Sequence, residues 1–133
     1  MIQKFHLALL FMMLFTACKD VKPIENIAAP PIEVIKNISV DQAKTLMDNR
    51  KDIVLIDVRT PEEWEEGSLP GTINIDVEAD DFTEKVILLD KDVTYLVHCR
   101  KGSRSEIAVE IMEQQGFKDI YHMLGGYLAW IEE

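Results

Sequence analysis

The sequence predicts an open α/β fold in which helices cover both faces of a parallel sheet. Two continuous apolar runs, Ile53–Ile56 and Val93–Val97, have the composition of strands that are buried on both sides. Helical segments alternate with strands over about a hundred residues, which is the order that a parallel sheet requires. Asp57 directly follows the first run, and Cys99 lies just beyond the second. Because sites in such sheets form at the carboxyl ends of strands, we expect the chemistry at this edge.

The first half of the predicted domain carries clear helix signals. Ser39 and Gln42 form a capping-box pattern, which predicts a helix that runs to about Asn49. Pro61 suits the first position of a second, short helix, and the two glutamates behind it favour the positive end of the helix dipole. This helix is expected to end near Gly67.

The second half repeats the alternation of strands and helices. Gly116 fits the end of the longest helix there, because glycine readily adopts the left-handed conformation that closes a helix. In chain order, the expected elements are a turn at Leu69–Gly71, a short strand at Thr72–Ile75, a helix at Phe82–Leu88, the buried strand Val93–Val97, a helix at Ser105–Gln115, a strand at Asp119–His122 and a last helix that follows Gly125 and Gly126 and runs through Trp130.

Residues 1–17 have the pattern of a signal peptide. Lys4 supplies a positive charge, and the unbroken apolar run Leu7–Phe15 follows it. This run is too short for a permanent transmembrane helix, which needs about 20 residues. Cys18 stands directly after Thr-Ala, and this arrangement resembles the signal of bacterial lipoproteins, in which the cysteine is lipidated. The alternative is ordinary cleavage near Ala17, which leaves Cys18 as a free thiol.

The lipoprotein resemblance implies an exported protein that the lipid on Cys18 anchors to a bacterial membrane, on its periplasmic side or at the cell surface. Residues 18–34 then form a lipid-anchored linker, since they mix prolines, alanines and charges without periodicity. The folded domain is expected at residues 35–133. We expect this domain to be a monomer and to meet the membrane only through that lipid.

Composition argues against several classes of partner and site. The formal net charge of −10 argues against binding of nucleic acid and against adhesion to anionic lipid. If Cys18 carries a lipid, Cys99 has no intramolecular disulfide partner. The sequence has no CxxC motif and no Cys/His cluster with zinc-ligand spacing, and the acidic tract Glu78–Asp81 is typical of a solvated loop. We therefore expect neither a metal nor a bound cofactor.

The loop after Cys99 has the properties of an anion-binding site. A helix start and three basic side chains nearby favour a thiolate and attract an anion, and those side chains are Arg100, Lys101 and Arg104. Gly102 supplies the conformational freedom of a tight loop. With Ser105 after Arg104, the pattern is close to the His-Cys-x5-Arg-Ser/Thr signature of cysteine phosphatases, but only four residues separate Cys99 from Arg104. The shorter loop encloses a smaller volume, which suits one extra sulfur better than a phosphoryl group.

Three parts of the chain together resemble the rhodanese (sulfurtransferase) family over about residues 35–133. They are Asp57–Gly67 with Leu69–Ile75, then Cys99–Arg104, and finally Leu124–Trp130. The resemblance implies a single-domain, rhodanese-like three-layer α/β/α fold with a five-stranded parallel sheet. Ser68 departs from the family pattern, since many members have histidine there, and we interpret that position as structural.

The resemblance also implies a thiosulfate-type sulfurtransferase in which Cys99 carries a persulfide. A small anionic donor would supply the sulfane sulfur, and a thiol or cyanide would accept it. The active-site loop is then Arg100, Lys101, Gly102, Ser103 and Arg104. By the same resemblance Asp57 and Arg59 border the pocket, and a pair that only ties the strand end to its loop explains these two residues equally well.

Two other functions stay open at the level of the residues. The scaffold also fits a cysteine-dependent phosphatase or arsenate reductase. It equally fits a rhodanese-like module that carries sulfur or binds a partner without turnover. His98 and His122 are interpreted as structural, because neither has the spacing of a base that serves a nucleophile.

Overall fold

The computed structural model describes residues 31–133. The predicted signal peptide at residues 1–17, the predicted lipidation site Cys18 and most of the predicted linker lie outside the described residues. Within residues 31–133, no helix combines the length and the apolar character that a membrane crossing requires.

Five strands and five helices alternate along the described part of the chain. The strands are β1 (Ile35–Ile38), β2 (Ile53–Asp57), β3 (Ile73–Asn74), β4 (Thr94–His98) and β5 (Asp119–Met123). The helices are α1 (Val40–Asn49), α2 (Pro61–Glu66), α3 (Phe82–Ile87), α4 (Ser103–Gln114) and α5 (Gly126–Glu132). All neighbouring strands are parallel, in the order β1-β5-β4-β2-β3. The predicted three-layer α/β/α fold with a five-stranded parallel sheet is confirmed.

The elements predicted from residue patterns are all present, with ends that differ by no more than two residues. The strand β1 was not predicted from residue patterns, because only the family resemblance implied a fifth strand. It lies at the edge of the sheet and pairs with β5 alone. Its residues Lys36 and Asn37 are partly or largely exposed, so it lacks the continuous apolar run of a central strand.

Local capping interactions set the starts of α1 and α2. Ser39 Oγ accepts a hydrogen bond from the backbone N–H of Gln42, and the Gln42 side chain accepts one from the N–H of Ser39. The same reciprocal pair joins Thr60 and Glu63 at the start of α2. The sequence prediction of α2 used Pro61 and missed this second capping box, which holds Glu63 close to the carboxyl end of β2.

The strand β4 shows how the core is divided between the two faces of the sheet. Tyr95 and Val97 pack with residues of α3 and α4, whereas Leu96 packs with residues of α1 and α5. This division follows from the alternation of side chains along a strand. Since β4 lies between β2 and β5, its carboxyl end lies at the centre of the row of strand ends. The residue that follows this end is Cys99.

Candidate active site

Residues 99–104, here termed the cradle, connect β4 to the first turn of α4. The backbone N–H of Gly102 donates a hydrogen bond to Cys99 Sγ over 3.0 Å. Gly102 has a φ of +116°, in the left-handed region that favours glycine, and it stands directly before α4. Cys99 is only 1% exposed. The cradle therefore wraps a buried sulfur and aims a backbone N–H at it.

Backbone hydrogen bonds from the start of α5 support the cradle. The N–H groups of Tyr127 and Leu128 donate to the carbonyl oxygens of Cys99 and Arg100 over 2.8 and 3.0 Å. This approach needs Gly126, because a Cβ there would lie 2.5 Å from the Cys99 oxygen and 2.6 Å from the Arg100 carbonyl carbon. Sequence analysis treated this glycine only as part of a helix start.

The surroundings of Cys99 favour the thiolate. Burial by itself raises the pKa of a thiol. Hydrogen bonds from the Ser105 side chain and from backbone N–H groups of the cradle outweigh burial, so the pKa of Cys99 lies below its ordinary value. The prediction of a cysteine in an environment that stabilises its anion agrees with this geometry. A thiolate is the nucleophilic form of cysteine.

Sequence analysis matched Ser105 to the phosphatase-like signature but did not count it among the site residues. Its hydroxyl lies 3.4 Å from Cys99 Sγ, 2.9 Å from the carbonyl oxygen of Gly102 and 2.8 Å from Nε2 of His122. The side chain is fully buried inside the first turns of α4. The available signal was a small hydroxyl residue near the start of the helix that follows a nucleophile.

Arg104 is held by two carboxylates. Its guanidinium contacts both oxygens of Glu63, over 2.7 and 2.9 Å, and Glu78 over 3.1 Å. Hydrogen bonds from Arg104 lower the pKa of Glu63 to about 2. Sequence analysis expected Arg104 to recruit an anionic donor. The structure instead pairs its charge across the mouth of the cradle, where it joins α4 to α2.

The other predicted loop residues face outward. Arg100 is about half exposed, and its guanidinium is 4.0 Å from Glu63. Lys101 and Ser103 are also exposed. Lys101 and Gly102 line a cavity of about 450 Å³ on one side of the cradle, and Arg100 lines another of about 280 Å³ on the other side. Arg100 and Lys101 are thus the basic side chains best placed to meet an anion.

Asp57 and Arg59 form a buried ion pair at the end of β2. Arg59 Nη2 lies 2.6 Å from Asp57 Oδ2 and 2.6 Å from the carbonyl oxygen of Gly67. The guanidinium also stacks 4.3 Å from the ring centroid of Tyr127. These contacts tie the strand end to the turn after α2 and to α5. Arg59 also borders the smaller cavity, so this residue both supports the site and lines it.

His98 lies beneath this pair and is completely buried. Its Nε2 is 3.7 Å from Asp57 Oδ2 and has no hydrogen-bond partner among residues 31–133. Burial lowers the pKa of His98. Burial thus favours the neutral ring, and the interpretation of His98 as structural stays a prediction. Within the same residues, no group of three or more His, Cys, Asp or Glu side chains is arranged to hold a metal ion.

Comparison with known proteins identifies the fold family. The model of the rhodanese-like domain matches residues 39–133. The chain belongs to the rhodanese family. Its similarity to the three proteins described next extends over most of their length.

Two curated relatives and one solved structure illustrate this similarity. YtwF of Bacillus subtilis, named as a candidate sulfurtransferase, is 38% identical over 96 residues, which span 72% of this chain and 90% of YtwF. The thiosulfate sulfurtransferase GlpE of Pseudoalteromonas translucida is 34% identical, with 71% of this chain and 88% of GlpE covered. The crystal structure of a rhodanese-related protein from Thermoplasma volcanium superposes with a TM-score of 0.62 at 35% identity, over 73% of this chain and 91% of that one.

Proposed function

We propose that this rhodanese is a sulfurtransferase that moves a sulfane sulfur through a persulfide on Cys99. The observation that carries the proposal is the cradle itself, in which the Gly102 N–H lies 3.0 Å from a buried Cys99 sulfur. The sulfurtransferase names of similar proteins support the same reaction class.

In the first half-reaction, the Cys99 thiolate attacks the outer sulfur of an anionic donor such as thiosulfate. The S–S bond of the donor breaks, and sulfite leaves with its electron pair. Cys99 then carries a persulfide anion. In the second half-reaction, a thiolate or cyanide attacks the outer sulfur, and the thiolate of Cys99 leaves. No net oxidation occurs at the cysteine over the full cycle.

The site stabilises charge on sulfur without a general acid. Backbone N–H groups of the cradle are aimed at the position where the negative charge resides, as in an oxyanion hole. Sulfite is a good leaving group, so its departure needs no proton. With four residues between Cys99 and Arg104, the loop is one residue shorter than the phosphatase signature, and we infer that its smaller volume suits the outer sulfur of a persulfide. This loop length favours sulfur transfer over the phosphatase alternative.

Donor approach is directed by the exposed basic side chains. Arg104 is neutralised by Glu63 and Glu78, so it offers little net positive charge to a donor. Arg100 and Lys101 remain at the two sides of the cradle, and we assign the attraction of the anionic donor to them. The low exposure of Cys99 restricts contact to the terminal sulfur of that donor.

Sulfur loading tests this function directly. Purified protein is treated with thiosulfate, and the mass of the intact chain is measured together with the sulfite released. The expected result is the gain of one sulfur atom on Cys99 with an equal amount of sulfite, and no gain at this position in Cys99→Ser. If the native protein gains no sulfur and releases no sulfite, the proposal is wrong. Faster hydrolysis of an aryl phosphate than sulfur transfer would instead support the phosphatase alternative.

The cellular location is part of the proposal. The protein is exported and anchored to a bacterial membrane by a lipid on Cys18, through residues 18–34, which places the domain at 35–133 outside the cytoplasm. The lipoprotein-like signal in the sequence supports this location. Cys18→Ala should release the protein from the membrane fraction. Unchanged fractionation of the variant would refute lipid anchoring.

A further inference from the structure

A chain of hydrogen bonds leads from the buried sulfur to a histidine on β5. Ser105 Oγ lies 3.4 Å from Cys99 Sγ and 2.8 Å from His122 Nε2. On the other side of the ring, His122 Nδ1 lies 2.9 Å from Oδ1 of Asn37 on β1. Four residues from β1, β5, α4 and the end of β4 thus form one continuous path.

The direction of each hydrogen bond follows from the groups involved. An amide oxygen can only accept, so Asn37 Oδ1 requires the proton of the neutral imidazole to be on Nδ1. Nε2 is then an acceptor. The one hydroxyl proton of Ser105 has three acceptors within reach, which are Cys99 Sγ, the Gly102 carbonyl oxygen and His122 Nε2. When it is directed to Nε2, the Ser105 oxygen can accept from the thiol of Cys99. This arrangement is the starting state of a proton transfer.

We propose that Asn37, His122 and Ser105 form a proton relay that draws the proton from Cys99 and holds it on His122. The proton leaves the Cys99 sulfur for Ser105 Oγ, while the hydroxyl proton of Ser105 moves to His122 Nε2. The S–H bond breaks, the N–H bond forms, and a thiolate–imidazolium pair results with no change in total charge. The relay rests on the proposed function for its purpose, because it prepares the nucleophile of that reaction.

The product of the transfer is also hydrogen-bonded. The new Nε2–H of His122 has two acceptors, Ser105 Oγ at 2.8 Å and the carbonyl oxygen of Gly102 at 3.2 Å. The hydroxyl of Ser105 is then free to donate to the sulfur anion. Because the proton stays on His122 during persulfide formation, the persulfide anion keeps a cationic partner. Ser105 contacts the reacting sulfur, whereas His122 is a positioning residue that acts through it.

The environment of His122 suits an acceptor that exchanges protons with solvent. The ring is 4% exposed and lines the cavity of about 450 Å³ beside the cradle. Burial lowers the pKa of His122, and the Gly102 carbonyl and Glu106 act in the opposite direction. Burial thus favours the neutral imidazole as the starting state, and the Gly102 carbonyl and Glu106 partly offset the cost of protonating it.

The charged groups around His122 come from two neighbouring segments. The helix α4 contributes Glu106 and Glu110 to the lining of the cavity, and the cradle contributes Lys101. The adjacent strands present uncharged residues, Asn37 on β1 and Val97 opposite His122 on β4. Of these groups, Glu106 favours the imidazolium that the relay requires, whereas burial opposes it.

The rate of alkylation of Cys99 by iodoacetamide, measured against pH in the full chain, tests the relay. Peptide mass mapping separates Cys99 from Cys18. His122→Gln should raise the apparent pKa of Cys99 by about one unit, and so slow alkylation about tenfold below that pKa. An unchanged profile would refute the relay.

A substitution at the exposed Asn37 gives an independent test that does not disturb the core. Asn37→Asp places a carboxylate on Nδ1, which stabilises the imidazolium and should lower the apparent pKa of Cys99. Without a relay, the added negative charge can only leave that pKa unchanged or raise it, and either result would overturn the proposal. Asn49→Asp, the same change at the exposed end of α1, is the matched control and should leave the profile unchanged.

Alkylation requires no sulfur donor, so the two proposals fail separately. If the pH profile of Cys99 alkylation is unchanged in both His122→Gln and Asn37→Asp, the relay is refuted, and the proposal of sulfur transfer is not affected. Absence of sulfur loading with a relay-dependent profile refutes sulfur transfer alone. Nitrogen NMR of His122 adds a readout of the tautomer, and protonation at Nε2 instead of Nδ1 in the neutral ring would contradict the proposed direction.

Discussion

Gly126→Ala should separate α5 from the cradle. The new Cβ would lie 2.5–2.6 Å from backbone atoms of Cys99 and Arg100, which a side-chain rotation cannot relieve. The helix start must move, and this movement weakens the hydrogen bonds that Tyr127 and Leu128 donate to the two carbonyl oxygens. The φ of +61° at Gly126 is also unfavourable for alanine.

The expected loss follows from these two contributions. A non-glycine residue in the left-handed region costs about 1–2 kcal/mol, and each lost hydrogen bond costs about 1 kcal/mol. The free energy of unfolding should therefore fall by about 3–4 kcal/mol, which leaves a typical domain folded at 25 °C. A domain of this size loses about 4–8 °C in Tm per kcal/mol, so the Tm should fall by at least about 12 °C.

Urea and thermal unfolding measure the loss, and Gly116→Ala is the matched control. Gly116 has a φ of +90°, but a Cβ there meets no atom within 4 Å. This control should therefore lose only the conformational part, about 1–2 kcal/mol. Folded Gly126→Ala should in addition show slower alkylation of Cys99, because the cradle is displaced. Equal losses of stability in the two variants would refute the assignment of Gly126 as the contact that holds the cradle.

Two further predictions concern the ion pairs around the site. The pKa of Glu63 is lowered from 4.5 to about 2 by Arg104, so its contribution to stability is present above pH 4.5 and is lost as the pH falls towards 2. Glu63→Gln keeps the capping box but removes the charge. It should lower the free energy of unfolding at neutral pH and flatten the pH dependence of the urea midpoint between pH 4.5 and 2. A pH dependence in the variant as steep as in the wild type would contradict this linkage. Arg59→Ala leaves the fully buried Asp57 without its partner, which should cost about 3–5 kcal/mol in the free energy of unfolding by urea titration; a loss under about 1 kcal/mol would show that the pair is not structural.

Much of the fold could be predicted because its signals are local. The capping box of Ser39 and Gln42 and the apolar run of β4 act through residues within one turn or one strand. The end of the apolar run of β4 was therefore sufficient to place Cys99 at a strand end from the sequence. The strand β1 could not be found in this way, since its assignment depends on pairing with β5, more than eighty residues away in the chain.

The site was predictable only in part. The count of residues from Cys99 to Arg104 was sufficient to predict a short loop at Cys99, and the Gly102 N–H of this loop contacts the sulfur. The partners of Arg104 were not predictable, because Glu63 approaches it from α2 and Glu78 from the turn that follows β3. The close packing of Gly126 against the cradle could not be predicted either, because the two segments are separate in the sequence.

The sequence by itself determined the helices and strands with local signals, the sheet class, and the thiol at a strand end followed by a short basic loop. These properties depend on neighbouring residues and on the periodicity of apolar side chains. Only the tertiary structure decided which basic side chains are neutralised and which polar groups reach the sulfur. Asn37 and His122 meet because β1 and β5 pair in parallel register, and Ser105 reaches His122 from α4. No contiguous segment of the chain contains that information.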